Sequence, residues 1–147
     1  MKQYIGTKLI NAVPMTRAAY NNFRGWVLPS NENGDDEGYL VEYLDGGTAN
    51  TEKYAGYVSW SPKGVFENAY RQTDGMPFGH AVECLKEGYK VERAGWNGKG
   101  MWLRYVPKSP LMPSHRAFIE MKTVDDEIVP WVASQTDILA DDWRVVR

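Results

Sequence analysis

V-E-R-A-G-W-N-G-K-G-M, Val91 to Met101, is the stretch whose reading decides the fold: a short strand runs into a bend with glycine at 95, 98 and 100, and the chain leaves it as a second strand. Glycines between two runs of strand-forming residues are a hairpin signal. Gly95, Gly98 and Gly100 permit positive φ and a close approach of a ligand to the main chain. Trp96, Asn97 and Lys99 between them supply a ring face, an amide and a cation, a set suited to a base or sugar beside a phosphate. The same residues also read as a plain hairpin whose tryptophan plugs a core, and spacing alone does not separate the two.

Working outward, the predicted strands are Tyr89 to Arg93 and Met101 to Val106. Upstream, Phe78, Ala81, Val82 and Leu85 fall at the spacing of an amphipathic helix, with Pro77 at its start and Gly88 past its end. His80 and Cys84 ride on that helix, and with no second histidine at a ligand spacing they read as scaffold. Downstream, Lys108 to Arg116 is a loop, and Phe118 to Lys122 pairs with Ile128 to Trp131 around the acidic turn Val124 to Glu127. Ser134 opens S-Q-T-D, in which the serine caps a helical turn and Asp137 reaches back to it, a variant of the capping box. A last strand, Trp143 to Val146, closes the unit, with Trp131 and Trp143 read as core.

The preceding residues make a second small unit. Tyr4 to Val13 reads as a strand, Thr16 as the cap of a helix through Arg24 with Ala19, Tyr20 and Phe23 on one face, and Gly25 as its stop. Pro29 to Gly38 is a charged loop, Tyr39 to Leu44 and Tyr57 to Trp60 are strands around the polar loop 45–56, and Ser61-Pro62 opens a helix that turns Val65, Phe66, Ala69 and Tyr70 inward. The expected class is α+β: a small antiparallel sheet with a packed helix in the C-terminal unit, residues 77–147, preceded by a small α+β unit, residues 1–71, with 72–76 as linker.

Composition narrows the function. The 147 residues are 43% hydrophobic with a formal charge of −2, which fits a globular protein and removes a general case for nucleic-acid binding. Cys84 is the only cysteine, so neither an internal disulfide nor a multi-cysteine zinc site is available. No apolar run is long enough to span a membrane, and Met1 to Ile10 alternates polar and apolar residues, unlike a signal peptide; a cytoplasmic protein is expected. Six Trp and nine Tyr exceed the needs of a small core, so some rings are expected against a ligand or another subunit.

Three segments taken together, F-G-H-A-V-E-C-L-K-E-G from Phe78, R-A-G-W-N-G-K-G-M from Arg93 and I-V-P-W-V-A-S-Q-T-D-I-L-A-D-D-W from Ile128, resemble the second Thoeris anti-defence family of bacteriophages, over roughly Pro77 to Val146. The first unit, with Y-I-G-T-K-L-I near its start and G-Y-V-S-W-S-P-K-G-V-F-E-N-A-Y from Gly56, resembles a small module of phage proteins with no established activity. The resemblance implies a sponge rather than an enzyme: a viral protein of the host cytoplasm that withholds a cyclic nucleotide-like immune signal. It implies glyco-cyclic ADP-ribose of Thoeris as ligand, with cyclic dinucleotides of CBASS taken by some members, and a homotetramer with pockets at subunit interfaces. No cofactor and no metal are expected.

On that implication the ligand-binding set is Arg93, Trp96, Asn97, Gly98, Lys99, Gly100, Met101, Arg104, Ser134, Gln135, Thr136 and Asp137. Trp96 is expected to stack on the purine, a contact of about 1–3 kcal/mol. Asn97, Gln135, Thr136 and Asp137 would answer hydroxyls and base edge, while Arg93, Lys99 or Arg104 would face the phosphates. Silencing a signal takes roughly nanomolar affinity, about 12 kcal/mol, so many contacts must act in one dehydrated pocket. The competing readings are a nucleotide hydrolase, for which no clustered histidines are available, and a structural module of the virion.

Overall fold

Local signals in the sequence place most of the elements. Thr16 caps helix α1, Arg17–Arg24, by accepting from Ala19 N, and Gly25 ends it with a φ of 72°, a left-handed value that costs glycine little. Loop 29–38 folds back onto the start of α1, where the carbonyls of Asp36 and Gly34 accept from Arg17 and Ala18. The computed structural model describes residues 1–147, in two units, Met1–Tyr70 and Arg71–Arg147.

The first unit holds a three-stranded antiparallel sheet of β1, Ile10–Pro14, β2, Gly38–Tyr43, and β3, Val58–Pro62, in that order. Leu40 and Val58 are buried with Tyr20 of α1, and Phe23, Tyr54 and Trp60 pack around them. Helix α2, Lys63–Ala69, lays Phe66 flat against Tyr39, with ring centroids 4.0 Å apart. Three details differ from expectation. β1 is shorter than the expected strand, because residues 4–9 find no backbone partner and remain exposed. Ser61 is the penultimate residue of β3, so α2 starts after Pro62 with no side-chain cap. Val65 and Ala69 are exposed to solvent rather than turned inward.

The second unit carries the amphipathic helix α3, Phe78–Lys86, on one face of a five-stranded antiparallel sheet. Its strands are β4, Val91–Arg93, β5, Trp102–Val106, β6, Phe118–Lys122, β7, Ile128–Pro130, and β8, Trp143–Val145. A short helix α4, Gln135–Ile138, precedes β8. The sheet order is β7-β6-β5-β4-β8, so the chain crosses from one edge to the other and the last strand lies beside β4. Ala81, Cys84 and Leu85 of α3 close over Val91, Leu103 and Trp143, which alternation places on one face of the sheet. Trp143 is fully buried and ringed by Phe78, Trp96 and Trp131.

The expected linker, 72–76, is bonded into this unit instead. Met76 exchanges both backbone hydrogen bonds with Trp143, Thr73 O accepts from Val145 N, and the Met76 side chain is buried in the core. A polar Q-T-D-G run reads as linker from composition, but here its turn delivers Met76 to the edge of β8.

Candidate functional site

The bend after β4 is held by two carboxylates from the other end of the unit. Arg93, at the end of β4, stands opposite Trp143 of β8. Its Nε donates to Asp142 Oδ1 and its Nη1 to Asp137 Oδ1, both at 2.9 Å. The guanidinium and the Asp137 carboxylate keep only 15% and 14% of their side-chain surface, so this pair is far better shielded than an ordinary surface ion pair.

Asp137 is the meeting point. The Oδ1 that receives Arg93 also receives Trp96 Nε1, at 3.2 Å. Its Oδ2 receives the backbone N and the hydroxyl of Ser134, completing the capping box that starts α4. The Trp96 ring is half-buried and meets Trp143 edge-on, with centroids 5.4 Å apart and planes at 79°. Asp142 supports the bend from below: its Oδ2 accepts from Gly95 N at 2.7 Å and its carbonyl from Ala94 N at 3.1 Å.

Electrostatics follow from that geometry. Burial by itself pushes the Asp137 carboxyl up, but hydrogen bonds from Arg93, Ser134 and Trp96 outweigh it and hold the group below its ordinary 3.8. Asp142 is likewise raised by burial and brought below 3.8 by Arg93 and the Gly95 N–H. Arg93 is driven up from its usual value by Asp142 first and Asp137 second. Both carboxylates and the guanidinium are charged, and the cluster carries one net negative charge.

Positive φ was expected at all three glycines, and one of them has it. Only Gly100 has positive φ, 76°, and its carbonyl accepts from Lys122 Nζ at 3.1 Å. A Cβ at Gly95 would lie 2.7 Å from Asp142 Oδ2, and one at Gly98 would run into Val124 and come within 3.0 Å of Met101 Sδ. At 95 and 98 the vacated space is filled by the protein's own side chains.

Residues 76–146 match the model of the Tad2-like, Thoeris anti-defense 2-like domain. The chain is similar to Thoeris anti-defense 2 of Bacillus phage SP01, at 42% identity over 85 residues that take in 48% of this chain and 94% of that relative. The chain belongs to the Thoeris anti-defense 2 family. The role that family membership carries is anti-defence. The matched span holds the bend, α4 and β8, and residues 1–75 lie outside it.

Within this Thoeris anti-defense 2 domain the structure brings together Arg93, Trp96, Ser134 and Asp137 of the sequence-derived set. Asn97, Lys99, Gln135 and Thr136 are exposed, with no side-chain hydrogen bond within the chain. Met101 packs beside Gly98. Arg104 is set apart: Val91 and Leu103 fix the buried face of the sheet, so Arg104 lies on the other face, where its Nε and Nη2 bond Glu120. Asp142 was missed. It sits 47 positions from Gly95, and only the non-local pairing of β8 with β4 brings it there. Its only sequence signal is its place just before a tryptophan that ends in the core. No group of three His, Cys, Asp or Glu side chains is placed to hold a metal, and no helix is long and apolar enough to cross a membrane.

Proposed function

We propose that this chain performs anti-defence by binding a small cyclic nucleotide-like signal, glyco-cyclic ADP-ribose in the first instance, and holding it intact. The observation that carries this reading is the convergence of the bend and the S-Q-T-D turn on one carboxylate, Asp137, which receives Trp96 Nε1 on one oxygen and Ser134 on the other. Close in sequence to the two joined residues, Trp96 and Asp137, stand four exposed side chains with no side-chain hydrogen bond inside the chain: Asn97, Lys99, Gln135 and Thr136. An aromatic face answers a purine, two amides and a hydroxyl answer ribose hydroxyls and base edge, and a cation answers a phosphate.

The internal pairing of Arg93 changes its expected part. Two of its nitrogens already serve carboxylates, so Lys99 is the cation of the bend that is free for phosphate, and Arg93 holds the frame. Val132, Leu139 and Ile138 flank the S-Q-T-D turn with 88%, 77% and 46% of their surface exposed. Apolar side chains so placed suit coverage by a second copy of the chain, in keeping with a homotetramer whose subunits complete each other's pockets. A closed, dry pocket is also what roughly nanomolar affinity requires.

The test is a thermal-shift series with cyclic mononucleotides, cyclic dinucleotides and glyco-cyclic ADP-ribose. A ligand present at 100 times its dissociation constant adds about 2.7 kcal/mol to native stability, a rise in Tm of several degrees. A rise with glyco-cyclic ADP-ribose that Trp96→Phe reduces is the expected result. No rise with any of these compounds, on protein shown to be folded, sinks the proposal.

A further inference from the structure

We propose that Asp142 is the positioning residue of this site: it sets the bend, and through Arg93 and Asp137 the tilt of Trp96, without itself meeting the ligand. Its functional half rests on the ligand-binding reading above. Three oxygens of this one residue hold the three positions that lead into Trp96. The carbonyl takes Ala94 N, Oδ2 takes Gly95 N, and Oδ1 takes Arg93 Nε. Each of these oxygens already faces a donor from the end of β4 or from the bend.

The influence passes on through the guanidinium. Asp142 fixes Arg93 at Nε, Arg93 presents Nη1 to Asp137, and Asp137 receives the Trp96 indole N–H. The ring is then held by that hydrogen bond at its edge and by the edge-on contact with Trp143. A binding face ordered in advance loses less freedom when the ligand arrives. Removing Asp142 leaves Ala94 and Gly95 to wander and lets the Arg93 side chain swing, so the order must be imposed at the moment of binding.

Gly95 supplies an independent handle. A methyl group there would stand 2.7 Å from Asp142 Oδ2, and φ at this position is not positive, so alanine suffers no backbone strain. Gly95→Ala therefore acts by displacing the carboxylate. If Asp142 is the positioning group, the two substitutions remove the same thing and their effects do not add.

The experiment uses the full chain and four variants: Asp142→Ala, Asp142→Asn, Gly95→Ala and the Gly95→Ala/Asp142→Ala double variant. Two readouts are taken: affinity for glyco-cyclic ADP-ribose by titration, and the indole N–H resonance of Trp96, assigned by its absence in Trp96→Phe. Expected are at least a tenfold loss of affinity in Asp142→Ala, a shifted or broadened Trp96 indole resonance without ligand, and an unmoved indole resonance of Trp60, whose N–H donates to Met15 O in the first unit. Gly95→Ala should reproduce the loss alone and add nothing in the double variant. Should Asp142→Ala not fold, Asp142→Asn, which keeps the size and loses the charge, is read in its place. Affinity within twofold of wild type overturns the proposal. So does a loss of affinity with the Trp96 resonance unchanged, which would make Asp142 a direct contact, and so do additive effects of the two substitutions. Failure of wild type to bind the probe would instead sink the functional reading, while the resonance and the same cycle measured on stability still decide whether Asp142 sets the bend.

Discussion

Loop 29–38 of the first unit and the bend 94–101 of the second are both glycine-containing turns beside a core tryptophan, yet they are held by different kinds of bond. The loop is fixed mainly main chain to main chain: Asp36, Gly34, Gly38 and Glu37 give their carbonyls to Arg17, Ala18, Met15 and Lys63, with the Asp36–Arg17 and Glu37–Lys63 ion pairs added at the surface. The bend is fixed mainly by side chains, with Asp142 on Gly95, Asp137 on Trp96 and Lys122 on Gly100. A loop tied mainly by its backbone tolerates the loss of an exposed side chain such as that of Asp36. A bend tied by charged side chains is open to disruption one residue at a time, and it leaves its outer side chains clear of internal bonds.

The largest way to break the comparison is at the ring both supports of Trp96 lean on. Trp143→Ala should cost about 3–5 kcal/mol, in the range for a fully buried aromatic, seen as a large drop in the denaturation midpoint. A loss under about 1 kcal/mol would mean the second core is not built on this ring. Next comes Asp137→Ala, which strips four hydrogen bonds and leaves Arg93 with one partner; about 2–3 kcal/mol is expected. The matching change in the first unit, Asp36→Ala, removes an exposed partner of Arg17 but no backbone bond, so it should cost less than about 1 kcal/mol. Equal losses at 36 and 137 would erase the distinction between the two turns.

Acid sharpens the same contrast. Asp137 and Asp142 are held below 3.8 in the folded chain, so the unfolded chain takes up protons at a higher pH than the folded one. Their contribution is fully present above the unfolded value and is lost as pH falls through the folded one. Stabilities of wild type and Asp142→Asn should therefore stay apart above pH 3.8 and draw together as pH falls below it. A constant gap across that range would show that the charge of Asp142 contributes nothing. The smallest effect expected is at the α1 terminus, where Gly25→Ala forces a Cβ into φ 72° and should cost about 1 kcal/mol.

How far the sequence could be read follows from the range of the interactions. The caps at Thr16, Gly25 and Ser134 and the face of α3 are set by neighbours a few residues apart, and they stand where spacing puts them. The convergence of S-Q-T-D with the bend came from family resemblance, and its physical cause, the placement of β8 next to β4, is non-local. Nothing in A-D-D-W tells which aspartate turns inward. The positive φ of Gly100 was legible, but the reason for Gly95 and Gly98 was not, because the atoms that demand them belong to Asp142 and to Val124. Residues 4–9 alternate as a strand does, but alternation gives a strand only where a partner backbone is present.

In the proposed function this bend holds a phosphorylated ring and gives it back whole on denaturation. Protein incubated with glyco-cyclic ADP-ribose, freed of unbound compound and then heat-denatured should return the compound at unchanged mass, in proportion to the protein present. Recovery of a hydrolysed product, or of no nucleotide at all, would contradict it.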